Sequence, residues 1–189
     1  MKIKTKQLTQ MAVLAAMSIL LIYLIHVPII PMVPYLEYDP ADIPILIGTF
    51  MFGPLGGLLI TAVVCFIQGV AISSTGLVGA LMHFFATGSF VLVAGNIYKR
   101  NRTRKGAIIG LTLGAITMTV TMAIWNIVLT PIIYGMPLDA VLSVIWWIVL
   151  FNIIKAGVNG GITFAVYKSV SKVLGLEIQE PKKVEVEVK

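Results

Sequence analysis

Six apolar runs take up most of the 189-residue chain, at Leu8 to Ile30, Ile43 to Phe52, Leu55 to Ile72, Leu77 to Ile97, Ala107 to Thr130 and Ala140 to Tyr167. Five of them are close to or above the ~20 residues that carry an α-helix across a ~30 Å hydrocarbon core. The second, at ten residues, reaches only ~15 Å, and Gly53-Pro54 then breaks it. Charged residues make up 12% of the chain, about half the ~25% of a soluble domain, and mean hydropathy is +0.98. A water-soluble enzyme is excluded. Once the spans and their short connections are placed, no room is left for a second domain of ~100 residues.

The cations decide the topology. Lys2, Lys4 and Lys6 precede the first run, five more lie from Lys99 to Lys105, and Lys168, Lys172, Lys182, Lys183 and Lys189 close the chain. This edge placement gives no basic face for nucleic acid, so the net charge of +6 orients the protein instead. The positive-inside rule puts both termini and the Lys99 to Lys105 loop on the cytoplasmic side, so an even number of crossings must precede Lys99. The short run must therefore be one of them, where neighbours or a thinned bilayer shorten the distance. The outward loops, Pro31 to Ala41, Ser73 to Gly76 and Pro131 to Asp139, contain no Lys or Arg. The expected fold is an all-α membrane domain of six transmembrane helices over residues 1–175, with a charged and mobile cytoplasmic tail over 176–189. His26-Val27-Pro28 after the first run offers no small-residue cleavage site, so that run is expected to be a retained span rather than a signal.

One cation does not fit the edges. Lys155 lies well inside the last run, where a charge costs ~2.5–3.5 kcal/mol on insertion scales and marks a functional interior by default. Asn152, Lys155, Asn159 and Thr163 share one helical face. The alternative is that Lys155 snorkels to an interface and the asparagines join helices. A second stripe, Thr112, Thr119, Met122, Asn126 and Thr130, runs along the fifth span to Pro131. Its threonines can bond their own backbone, but the Asn126 amide needs partners away from water. Asn126, Asn152 and Lys155 together form a donor and acceptor set suited to a flat heterocycle. Gly76, Gly79, His83 and Thr87 align on the fourth span, with helix packing as the competing explanation.

The loop Pro31-Met-Val-Pro-Tyr-Leu-Glu-Tyr-Asp-Pro40 is too proline-rich for a helix and too aromatic for a plain linker, and reads as an ordered lid. Tyr35, Leu36 and Tyr38 are its candidate ligand-covering residues, and Asp42 is a candidate cap for the short helix. Glu37, Asp39 and Asp42 have no His beside them and make a poor metal set, so no metal is expected. Cys65 alone can form no disulfide within the chain and reads as a small buried hydrophobe. Ala12, Ala15 and Ala16 make a small-residue patch on the first span, which serves either internal packing or docking of another membrane protein. The chain carries no nucleophile elbow, zinc-protease motif or phosphate loop. Uphill transport would have to draw its energy from partners or an ion gradient.

The segments Tyr35-Leu-Glu-Tyr-Asp-Pro-Ala-Asp-Ile-Pro44, Gly48-Thr-Phe-Met-Phe-Gly-Pro-Leu-Gly-Gly57 and Phe151-Asn-Ile-Ile-Lys155, with Asn159, resemble the riboflavin-specific substrate-binding subunits of energy-coupling factor (ECF) vitamin transporters. The resemblance spans about Leu8 to Lys172. It implies a six-helix subunit of a bacterial cell membrane, with no cofactor and no enzymatic activity. Riboflavin would be the transported ligand, held in an outward pocket closed by the first loop. A membrane scaffold subunit and two cytoplasmic ATPases would be the partners. It further implies that Asn152 and Lys155, with Asn126 as a looser match, hydrogen-bond the flavin ring, and that Ala12 and Ala16 dock on the scaffold. A sibling subunit for another vitamin and an ion-coupled secondary transporter are the alternatives. The second is disfavoured because Asp42 and Asp139 sit at span edges and no other carboxylate lies within a span.

Overall fold

The computed structural model describes residues 4–72 and 76–173. The tail at 176–189 and positions 73–75 of the second outward loop lie outside the described residues. The elements are α1 (Thr5–Leu24), β1 (Val27–Pro28), β2 (Glu37–Tyr38), α2 (Asp42–Phe52), α3 (Pro54–Ala71), α4 (Gly76–Arg100), α5 (Arg104–Tyr134) and α6 (Leu138–Val173). All the helices but α2 are long and apolar enough to cross a membrane. Large apolar side chains such as Leu20, Phe66, Leu113, Ile124 and Trp146 face outward along them, as a lipid-facing surface requires.

The short α2 is the centre of the fold. Its eleven residues rise only about 16 Å. Asp42 and every residue from Pro44 to Phe50 are buried, because α1, α3, α4 and α6 all pack around it. Gly53 (φ 83°) lets the chain reverse in one residue, and Pro54 starts α3 at the position where its missing N–H costs nothing. Gly95 on α4 lies directly against Pro54. Below α2 the rings of Phe50, Tyr98 and Tyr167 form a tilted and edge-on cluster, with centroids 4.3 Å apart for Phe50–Tyr98 and 5.4 Å for Phe50–Tyr167. This end also carries Lys99, Arg100, Arg104 and Lys105 at the α4–α5 connection.

Several boundaries differ from the hydropathy pattern, two of them at prolines. The first apolar run extends to Ile30, yet α1 stops at Leu24. Pro28 and Pro31 cannot continue a helix, and the chain instead forms a small antiparallel ladder pairing Val27 with Tyr38 and Pro28 with Glu37. The remaining apolar residues of that run and the loop bury sideways: Ile30, Val33 and Leu36 pack with Ile148 and Phe151 of α6. Hydropathy reports burial, and here the burial is under a lid. In α5 the helix continues through Pro131 to Tyr134, and Gly135 ends it in the left-handed conformation (φ 64°).

Candidate functional site

Beneath the loop lies a cavity of about 480 Å³, within the ~300–1,000 Å³ of small-molecule sites. The loop forms its roof with Tyr35, Leu36, Glu37 and Asp39, and four helices supply the walls: Gln68 from α3, Gly79 and His83 from α4, Asn126 from α5, and Asn152 and Lys155 from α6. Met82, Ala86, Met118, Met122 and Phe151 make the apolar part of the lining. Seven of the nine expected site residues, Tyr35, Leu36, Gly79, His83, Asn126, Asn152 and Lys155, meet here.

The asparagines are set by their own helices. Asn126 Nδ2 donates to Met122 O at 2.9 Å and Asn152 Nδ2 to Ile148 O at 2.8 Å. Each bond fixes a side-chain rotamer while leaving a second amide hydrogen and a carbonyl oxygen for a ligand. Thr119, of the same stripe as Asn126, bonds its own backbone as expected. With Thr112 it faces a separate, largely apolar cleft between α5 and α6.

Tyr38 and Asn159 do not line the cavity. The Tyr38 hydroxyl donates to Asn159 Oδ1 at 3.0 Å, and Asn159 Nδ2 donates to Asp39 O and to Asp42 Oδ2, both at 3.1 Å. The pair ties the loop to α6 from behind, so its role is in holding the lid. The expectation that Asp42 caps α2 is also corrected. Ala41 is the N-cap residue and Asp42 makes no capping bond. Asp39 performs the local turn instead, accepting the Ala41 N–H at 3.1 Å. Ser18 of α1 donates to Ala41 O at 2.9 Å and fixes the loop's far end.

Sequence reasoning missed how deep the carboxylates lie. Asp39 is 4% exposed and Asp42 is fully buried, because α2 starts beneath the lid rather than at an aqueous edge. Lys155 Nζ donates to Asp39 Oδ2 at 2.7 Å. Asp42 Oδ1 accepts from Thr87 at 3.0 Å and faces His83 Nε2 at 3.4 Å, while His83 Nδ1 faces Gln68 Oε1 at 2.7 Å. The ion pair joins residues 116 positions apart. The sequence signal for it was a lone mid-span cation, which requires a counter-charge. Among the described residues no three His, Cys, Asp or Glu side chains converge as a metal set. Partial burial raises the Tyr35 and Tyr38 phenols above their ordinary range, and the neighbouring Asp39 adds to this at Tyr38. Both stay neutral hydrogen-bonding groups.

On α1 the patch divides. Ala15 is buried in the core, whereas Ala12 and Ala16 are exposed one turn apart. Ala15 therefore belongs to internal packing, within the core that α1 forms with α2 and α3.

A model of the family described as ECF transporter, substrate-specific component, matches residues 6–167. The riboflavin transporter RibU of Staphylococcus aureus (strain TCH60) is 31% identical over 146 residues, covering 74% of this chain and 77% of that protein. The riboflavin transporter FmnP of Bacillus subtilis (strain 168) is 33% identical over 96 residues, half of each chain. A solved structure of the S component of a bacterial ECF transporter superposes with a TM-score of 0.75 at 35% identity, covering 89% of this chain and 97% of that one. The S component for biotin from an ECF-type transporter shares the fold, with a TM-score of 0.60 at 19% identity.

Proposed function

This chain belongs to the ECF transporter family of substrate-specific components, and we propose that its ligand is riboflavin, bound from outside in the cavity beneath the first loop. It is a multi-pass membrane protein and a transport subunit rather than an enzyme. The observation that carries the ligand is the meeting of Asn126, Asn152 and Lys155 in one cavity whose lining also holds Met82, Met118, Met122 and Phe151. The flavin pyrimidine edge offers two carbonyls, a ring nitrogen and an imide N–H. An asparagine amide can serve both kinds, and Lys155 keeps N–H donors beyond the one given to Asp39. The dimethylbenzene side suits Met82, Met118 and Phe151, and the ribityl hydroxyls suit Glu37, Thr130 and Tyr134, which line the same cavity. The relatives named as riboflavin transporters support the same choice over a sibling vitamin.

The subunit sits in a bacterial cell membrane with both termini and the basic α4–α5 connection inside. The exposed Ala12 and Ala16 face docks on a membrane scaffold subunit, which couples it to two cytoplasmic ATPases. Substituting Ala12 and Ala16 with leucine should abolish co-purification with that module while leaving riboflavin binding intact. Retained assembly would remove this face from the interface.

The direct test is purification from riboflavin-containing cells, which should yield yellow protein with quenched flavin fluorescence. Colourless protein that binds no added riboflavin overturns the proposal. Asn126→Leu and Asn152→Leu should each weaken binding by about 1–3 kcal/mol, since each leaves ligand polar groups unpaired. A fluorescence titration reads this, and unchanged affinity in both would place the ring elsewhere.

A further inference from the structure

The buried groups under the lid do not balance with His83 neutral. Asp39 and Asp42 contribute two negative charges and Lys155 one positive charge, all three at 5% exposure or less. An unmatched charge in such surroundings is costly, and such a cluster binds a proton instead. The hydrogen-bond pattern says where the proton goes. Asp39 O can only accept, so Asn159 must present its amide hydrogens to Asp39 O and Asp42 Oδ2, and its carbonyl oxygen takes the Tyr38 hydroxyl. Asp42 Oδ2 is therefore an acceptor. Oδ1 takes the Thr87 hydroxyl, whose rotor is free to donate. With both oxygens accepting, Asp42 is a carboxylate. His83 then has an acceptor at each nitrogen, Asp42 Oδ1 at Nε2 and Gln68 Oε1 at Nδ1, and only the imidazolium donates from both.

The geometry points to His83 as a resident imidazolium, a fixed positive charge in the cavity wall that balances Asp42 and positions it to hold the lid through Asn159 and Tyr38. The charged and titratable groups acting on it are Asp42 from α2, the Cys65 thiol from α3 and Lys155 from α6, while Asp39 and Glu37 of the loop line the same cavity. Of the α5 residues lining the same cavity, Met118, Met122, Asn126, Thr130 and Tyr134, none carries a cation that could substitute for it. His83 is thus a positioning residue with one face to the ligand cavity. The expected consequence for affinity rests on the riboflavin proposal, while the protonation state does not.

Two measurements test this on the full chain in detergent or nanodiscs. Nitrogen-15 NMR of histidine-labelled protein, with His83 assigned by comparison with His83→Gln, should show both His83 nitrogens protonated at neutral pH. One bare ring nitrogen, as in a neutral ring with the Gln68 amide turned over, overturns the inference. Riboflavin titrations then test the charge balance. His83→Gln should weaken binding on the order of tenfold or more, because it leaves Asp42 uncompensated. The Asp42→Asn/His83→Gln pair should recover most of that loss. A double variant as weak as the sum of its parts overturns the charge-balancing role. Wild type that fails to bind riboflavin at all, yet shows a doubly protonated His83, would count against the ligand and leave this inference standing.

Discussion

Replacing Lys155 with methionine should weaken riboflavin binding by on the order of 3 kcal/mol, about a hundredfold, the largest single effect expected at this site. The chain of causes runs through the loop. Removing the ammonium leaves the Asp39 carboxylate buried with no counter-charge, and breaking a buried pair costs about 3–5 kcal/mol. The loop avoids that cost by opening and hydrating Asp39, so the closed state that encloses the ligand is what suffers. Asp39→Asn should produce a comparable loss from the other side. The double variant, Asp39→Asn with Lys155→Met, should bind far better than the sum of the two single losses predicts, because it leaves no unpaired charge. A fluorescence-quench titration of the four proteins completes the cycle. Additive losses would mean that Lys155 acts on the ligand alone and that the 2.7 Å contact with Asp39 contributes nothing to closure.

The second large effect lies at the opposite end of α2. A Cβ on Gly95 would stand 2.7 Å from Thr49 Cγ2 and 2.9 Å from Pro54 Cα, and the second of these is backbone that cannot turn aside. Gly95→Val should therefore lower stability by about 3 kcal/mol, at the upper end of overpacking penalties. Even Gly95→Ala should be destabilising. Gly157 on α6 is the control, because a Cβ there meets nothing within 4 Å. Gly157→Ala should be neutral or stabilising by up to about 1 kcal/mol, as alanine is the better helix former. Thermal unfolding of the detergent-solubilised protein separates the two. A Gly95→Val protein that unfolds with wild type would show that α2 and α4 are less tightly apposed than these distances imply.

The long helices were legible because lipid exposes its demands in the sequence: a span must be apolar throughout, and Leu113 or Ile124 announces this without reference to any partner. The polar wall was legible for the same reason inverted, since Asn126, Asn152 and Lys155 stand out against an apolar background. What periodicity could not give was the direction in which equivalent residues turn. Ala12, Ala15 and Ala16 are alike by composition, and only the packing of α1 on its neighbours decides that Ala15 goes inward. The same holds for the loop. Tyr35 and Tyr38 look interchangeable, yet the first lines the cavity and the second bonds Asn159 across 121 positions. The carboxylates misled because position in sequence was taken for depth. Asp42 begins its helix, but that helix begins inside the protein. Carboxylate placement therefore does not speak against an ion-coupled carrier, and family membership is what separates that alternative from a substrate-specific component.

The enclosure of α2 has a consequence for how such a chain is made. A segment of eleven residues is too short to partition stably into a bilayer while its successors are still being synthesised. It carries Asp42 at its head, and that carboxylate meets Thr87, His83 and Asn159 only after α4 and α6 have arrived. The surroundings that bury α2 are therefore complete only once α6 is in place, and the bundle then takes the place of lipid as its solvent. A chain truncated before α6 lacks both a wall of the cavity and the surroundings in which its central helix can rest.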